Sequence, residues 1–214
     1  MGRAAGALNR DHAETRAELA RRLAQHLLAN GASLPSLRTL AEGAGVDPGT
    51  IRHYFGDRRG AVGAALETLI PYASEQRTHA LALAHLPVEE ALSTFLSRIA
   101  KAWPGLGGSM HATGLVEGLV DGTQGSNYLR CVLEPLLATA EELLTSFGTR
   151  NVIGVSDVRL SALALVSPVL LACLHQVQLQ GGSVRPLDLD GFIGSHVQLF
   201  LRSHGTPAAR SQAS

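Results

Sequence analysis

The chain has 214 residues, of which 45% are hydrophobic and 17% charged, and its formal charges cancel to zero at neutral pH. This length buries a substantial core in one large or two small domains, and the composition excludes an intrinsically disordered chain. The zero hides an asymmetry: residues 1–60 carry nine arginines against six acids, while residues 61–214 carry nine basic residues against twelve acids. The basic end is the candidate for an anionic partner.

The N-terminus, MGRAAGALNRDHAETR, lacks the apolar stretch of a signal peptide, which predicts a cytoplasmic protein with no membrane partner. Asp11-x-x-Glu14 and Thr15-x-x-Glu18 have the capping-box form, and Leu19, Leu23 and Leu27 recur beside Ala20, Ala24 and Leu28. They predict a helix from about residue 12 to Ala29 that ends at Asn30-Gly31. A short second helix opens at Ser36, places Leu37, Leu40, Ala41 and Ala44 on one face, and stops at Gly45. Asp47 is a good N-cap, and Pro48 suits the first helical position because its missing N–H costs nothing there. Gly56 ends this third helix and Asp57 caps the next, so Ile51, Tyr54 and Phe55 supply one short apolar face. Two short helices joined across Ala44-Gly45-Val46 make a helix-turn-helix that Leu19, Leu23 and Leu27 can cover.

A long fourth helix is predicted from Asp57 into the low eighties, with Val62, Ala65, Leu66 and Leu69 inward and a bend at Pro71. Further helices are expected at roughly 88–103, 109–120, 126–147, 156–180 and 188–203, separated by Gly- and Pro-rich stretches such as Pro104–Gly108 and Asp121–Gly125. No long segment alternates in the strand pattern, so the fold class is all-α with about nine helices. The expected division is a helix-turn-helix domain over 1–60, a helical domain over 61–204 and a disordered tail over 205–214. The uncharged run Leu160–Leu174 falls short of the ~20 residues a bilayer span needs, and is expected to be a buried helix. Cys131 and Cys173 lie in apolar runs and read as reduced, buried residues.

A helix that reads the major groove must be short, present its N-terminal side chains to base edges and be flanked by groups that grip phosphate. The stretch GVDPGTIRHYFGDRR meets these demands. Pro48 opens the helix, Gly49 removes bulk near the backbone, and Thr50 offers a hydroxyl. Arg52 can reach guanine in bidentate fashion, with His53 beside it, and Tyr54 can donate to a phosphate. Arg58 and Arg59 stand at the N-terminus of the next helix, where cations and macrodipole together attract phosphate. Arg38, on the second helix, is a further base or phosphate candidate.

Residues from about Thr15 to Leu69 resemble the N-terminal domain of the TetR family of bacterial transcriptional regulators, on the motif AGVDPGTIRHYFGDR. The resemblance places Arg38, Thr50, Arg52, Tyr54 and Arg58 where the family contacts DNA. The family often has an aromatic where Arg52 stands, lysine where Arg58 stands and leucine where Ala61 stands. The last change implies looser packing at the root of the fourth helix. The resemblance further implies a C-terminal domain that dimerises through its last two helices, here the apolar helix and Val197, Leu199, Phe200 and Leu201. It also implies a small-molecule effector whose binding moves the fourth helix and releases a double-stranded operator.

Polar or aromatic groups within the apolar helices are the candidate effector contacts: Trp103, Met110, His111, Thr113, Glu117, Tyr128, Cys131, His175, Gln176 and Gln178. Aromatic content of 4% argues against a large planar effector. Nine histidines raise the alternative of an enzyme, but no HxxxH, HExxH or GxSxG spacing is present, so no catalytic set, metal site or cofactor is expected. A helical interaction protein that keeps the fold without reading DNA is the other alternative.

Overall fold

The computed structural model describes residues 5–30 and 33–204. Among them the chain forms α1 (Ala5–Ala29), α2 (Leu37–Ala44), α3 (Pro48–Phe55), α4 (Arg58–Glu67), α5 (Ile70–Leu81), α6 (Val88–Ala102), α7 (Gly108–Val120), α8 (Gly122–Tyr128), α9 (Glu134–Thr149), α10 (Val158–Cys173) and α11 (Leu189–His204), with no β-strand. The fold is all-α, as the absence of period-two alternation predicts. Two compact units share these helices: of the described residues, one holds those up to 71 and 109–132, the other 72–108 and those from 133 on. The boundary therefore does not fall at residue 60. α4 packs on α1 and α8, and it belongs with the helix-turn-helix.

In the first unit, Leu19, Leu23 and Leu27 of α1 are buried with Leu40 and Ala41 of α2, Ile51 of α3 and Val62 and Leu66 of α4. Each fully buried leucine contributes roughly 1.5–3 kcal/mol. Ala61, at the root of α4, is fully buried.

α1 starts earlier than the capping-box pattern implies. Thr15 donates its hydroxyl to the Asp11 carbonyl oxygen at 2.8 Å, a bond made inside a helix, and Glu18 pairs with Arg21 and Arg22. The expected stop at Asn30-Gly31 is described only to Asn30, whose amide side chain donates to the His26 carbonyl at 2.7 Å. The sequence Ser36-to-Gly45 behaves as read: Ser36 accepts from the Thr39 N–H, and Gly45 sits in the left-handed region at φ 71°, its N–H turned back to α2 carbonyls. Glycine, with no Cβ, adopts that turn at the least cost.

The predicted single fourth helix breaks into α4 and α5 at Thr68 and Leu69. Pro71 lacks an N–H and its ring crowds the carbonyl of residue 67, which is where α4 ends. Asp121–Gly125, expected as a separator, instead opens α8, because the Asp121 carboxylate accepts from the Thr123 N–H and caps it. Its glycine also has a packing role: a Cβ on Gly118 of α7 would come within 2.8 Å of the Gly125 Cα, so the two helices touch backbone to backbone.

The second unit buries Leu92 and Leu96 of α6, Leu143, Leu144 and Phe147 of α9, Leu165 and Val169 of α10, and Ile193 and Val197 of α11 in one core. α10 continues through a π-turn to Gln178, so the apolar helix is 21 residues long and has a mean hydropathy of 1.9. By length and composition it is long enough to cross a membrane, which overturns the argument from its shortness. One face of it packs in the core of its own unit, and its first turn carries Arg159, ion-paired to Glu134 and Glu141. Cys131 and Cys173 are buried and unbridged as expected, and burial pushes both thiols up, Cys173 to about 11. The tail 205–214 lies outside the described residues.

Candidate functional site

α3 is clamped at both ends. The Asp47 carboxylate accepts from the Thr50 N–H at 3.0 Å and from the Thr50 hydroxyl at 2.6 Å, and these bonds hold it below the usual carboxylate range. Pro48 occupies the first helical turn, and at the other end Gly56 donates its N–H to the Arg52 carbonyl at 2.9 Å with φ 80°. Any side chain on Gly49 would meet the Asp47 carboxylate at 2.7 Å, so this glycine makes room for the cap. The Thr50 hydroxyl spends its proton on Asp47 and keeps only acceptor capacity.

Between the clamps, Arg52 and His53 are exposed, and Ile51 is fully buried beneath them. Tyr54 is half-buried, its ring 4.8 Å from that of His53 and 6.4 Å from that of Phe55. The helix thus anchors one side chain in the core and projects a guanidinium, an imidazole and a phenol ring. Arg38 is exposed on α2, its guanidinium raised further above its ordinary range by the hydrogen bond to Glu42 at 2.8 Å.

Arg58 does not behave as the sequence predicts. Its guanidinium donates to both Glu117 carboxylate oxygens, at 2.9 and 2.5 Å, and to the Pro35 carbonyl at 2.7 Å. Glu117 is 1% exposed. The pair is bidentate, with the carboxylate buried and the guanidinium 29% exposed, so Arg58 has a structural partner that the sequence reading did not assign it. The same bonds occupy both carboxylate oxygens of Glu117, one of the candidate effector contacts. No local pattern signals this, because the partners are 59 positions apart. Arg59 pairs with Asp121 at 2.5 Å but stays two-thirds exposed, and its backbone carbonyl accepts from Gln124. Arg130 pairs with Glu67 at 2.9 Å. Together these bonds fasten α7, α8 and the turn after it to both ends of α4.

The remaining effector candidates divide between the units. Met110, His111, Thr113, Tyr128 and Cys131 are buried in the first. There His111 Nδ1 and the Tyr128 hydroxyl lie 2.7 Å apart, and the Tyr128 ring packs where Gly114 has no side chain. Burial drives the His111 imidazole down to about 4 and the Tyr128 phenol up to about 12, so both are neutral at physiological pH.

In the second unit Trp103 is buried and donates its indole N–H to Gln178. His175 and Gln176 meet a loop: Gln176 bonds His175, the Arg185 carbonyl and the Leu187 N–H, and the His175 ring lies against Gly181. A surface groove of about 520 Å³ in this unit, floored by Leu81, Ala138 and Val158 beside Glu141 and Glu142, includes none of the candidates.

No protein-family model matches the chain, and no curated protein sequence does. Solved structures do. A chain from Mesorhizobium loti assigned to the TetR family superposes with a TM-score of 0.67 at 16% identity, covering 91% of this chain and 98% of that one. The fatty acid degradation regulator FadR from Bacillus halodurans gives 0.63 at 18% identity, over 87% and 94%. RolR, in complex with resorcinol, gives 0.60 at 16% identity, over 96% and 94%. The chain therefore has the fold of TetR-family transcriptional regulators.

Proposed function

We propose that the chain is a homodimeric TetR-like transcriptional regulator, a cytoplasmic repressor that holds a pseudo-palindromic double-stranded operator and releases it when a small molecule binds. The observation that carries this reading is α3 itself: an eight-residue helix, capped by Asp47 and Gly56, that buries Ile51 and presents Arg52 and His53 to solvent. Pro48, Gly49, Thr50 and Tyr54 share the helix with them, Arg38 of α2 and Arg59 of α4 are further exposed arginines of the same unit, and Arg58 is paired with Glu117. Arg52 reads a guanine edge, while Arg59, Tyr54 and Arg38 grip the backbone.

A dimer supplies the specificity that one short helix lacks, since two half-sites lie one helical turn apart. Support comes from the outward face of α10, where Leu160 and Leu171 are 64% and 66% exposed, and from Leu199 of α11 at 58%. Val197 and Phe200, expected at this interface, are buried in their own unit. The dimer face of this reading is Leu160, Ala164, Ser167 and Leu171, an exposed stripe at helical spacing on α10, with Leu199 of α11.

The resorcinol complex of RolR supports a small-molecule effector in general terms. Effector binding near His111 and Tyr128 would act on α4 through the Glu117–Arg58 pair.

Selection of binders from a pool of random duplexes tests the reading. The native protein should enrich a pseudo-palindrome, and Arg52→Ala should relax one base position at a cost of ~1–3 kcal/mol. Equal losses on selected and random DNA would remove Arg52 from base reading. No binding at low salt would favour an interaction protein that keeps the fold.

A further inference from the structure

The DNA-facing helix shares its exposed rim with a residue of α1 that the motif does not contain. The His12 ring lies 4.8 Å from the Tyr54 ring and 5.7 Å from the His53 ring, and His53 and Tyr54 are themselves 4.8 Å apart. One turn further along α1, the Arg16 guanidinium sits over the Phe55 ring at 5.2 Å. Both imidazoles are exposed.

We infer that His12, His53 and Tyr54 form a phosphate-contacting cluster at the edge of α3, and that DNA binding is coupled to proton uptake there. The inference rests on the DNA-reading role of α3. It adds a contact from α1 and a dependence on pH.

The chemistry follows from the surroundings. On α1 the charged neighbours in sequence are Arg10, Asp11, Glu14 and Arg16, and on α3 they are Arg52 and the N-cap Asp47. Asp47 is turned to Thr50, and Arg58 of α4 is turned to Glu117. Among the described residues the carboxylate pairs of this region join arginines, and neither imidazole has a carboxylate partner. Histidine is the side chain whose charge changes in the neutral range. An anion placed against two adjacent imidazoles favours their protonated, doubly donating form, and the phenol of Tyr54 adds a neutral donor.

The sign is fixed by this preference. Protons bind better to the complex than to the free protein, so affinity for DNA rises as pH falls and drops as pH rises. A phosphate contact is independent of base sequence, so random duplex should show the effect as well as operator.

The test is fluorescence anisotropy with a labelled random-sequence duplex at low salt and constant ionic strength, at about pH 6 and about pH 8, where imidazole changes charge. For the native protein Kd should be about three- to tenfold larger at the higher pH. The double variant His12→Gln, His53→Gln should bind weakly with most of that difference gone. The double variant His12→Arg, His53→Arg, permanently charged, should bind tightly at both values.

A glutamine variant that retains the native pH difference, or an arginine variant no tighter than the glutamine one at the higher pH, overturns the inference. So does native binding that is the same at both pH values, which leaves the DNA-reading role of α3 intact. Absence of duplex binding by the native protein at either pH overturns that role as well. Thermal melts of each variant confirm that these exposed substitutions leave the fold in place.

Discussion

At the scale of single residues, the most consequential contact is the pair of Arg58 with Glu117. Arg58→Ala leaves a carboxylate that is 1% exposed without its cation, and should cost about 3 kcal/mol of unfolding free energy in urea. Replacing both partners with apolar residues of similar size should recover most of that loss. A double-mutant cycle by chemical denaturation checks the prediction, and independent, additive losses would contradict a coupled pair. Asp47→Ala should lower the melting temperature and weaken DNA binding, because Thr50 loses acceptors for both its N–H and its hydroxyl.

His111 supplies a pH signature of the fold itself. Its folded value is about 4 against 6.5 for the unconstrained group, so between these values the unfolded chain binds the extra proton. Stability is therefore full above the unfolded value and falls as pH drops towards the folded one, by at most about 3 kcal/mol. Urea titrations at a series of acidic pH values measure this, and His111→Gln should flatten the slope. This effect opposes the one inferred for DNA affinity: acid weakens the fold through a buried imidazole and strengthens binding through exposed ones.

At the scale of elements, caps and breakers made the helix-turn-helix legible. Ser36, Gly45, Asp47, Pro48, Gly56 and Asp57 act within a turn or two of chain, so the boundaries of α2 and α3 follow from local chemistry. The failures share a different cause. α8 was hidden because Gly122 and Gly125 look like loop residues, yet Gly125 is required where α7 and α8 meet. Gly118→Ala should press a methyl against the Gly125 backbone and destabilise the first unit by about 1–3 kcal/mol, read from chemical denaturation. An unchanged midpoint would mean that the two helices separate at little cost. Gly148→Ala, at a site open within 4 Å, is the control.

At the scale of the whole molecule, the division of the chain differs from a cut in sequence order. Residues 109–132 leave the helices that precede and follow them in sequence and join the helix-turn-helix unit. Self-association is the prediction that belongs at this scale. Leu171→Glu, on the exposed face of α10, should shift the protein from dimer to monomer in sedimentation velocity at micromolar concentration. Binding to a full palindrome should fall much further than binding to one half-site. A variant that remains dimeric would place the interface elsewhere.

What the sequence determined by itself was the set of structures governed by near neighbours: helices with their caps, the turn at Gly45, and the exposure of Arg52 and His53 on α3. Tertiary structure alone decided which charges are available. Arg58 and Arg59 stand side by side in sequence with the same side chain, but one is locked to a buried carboxylate and the other stays largely exposed. It also decided that His12 meets α3. The physical reason is common to both. A cap is satisfied within one turn of chain, whereas an ion pair or a ring contact between distant residues exists only after packing has brought their helices together, and hydrophobic burial, which is non-directional, drives that packing without specifying the polar partners.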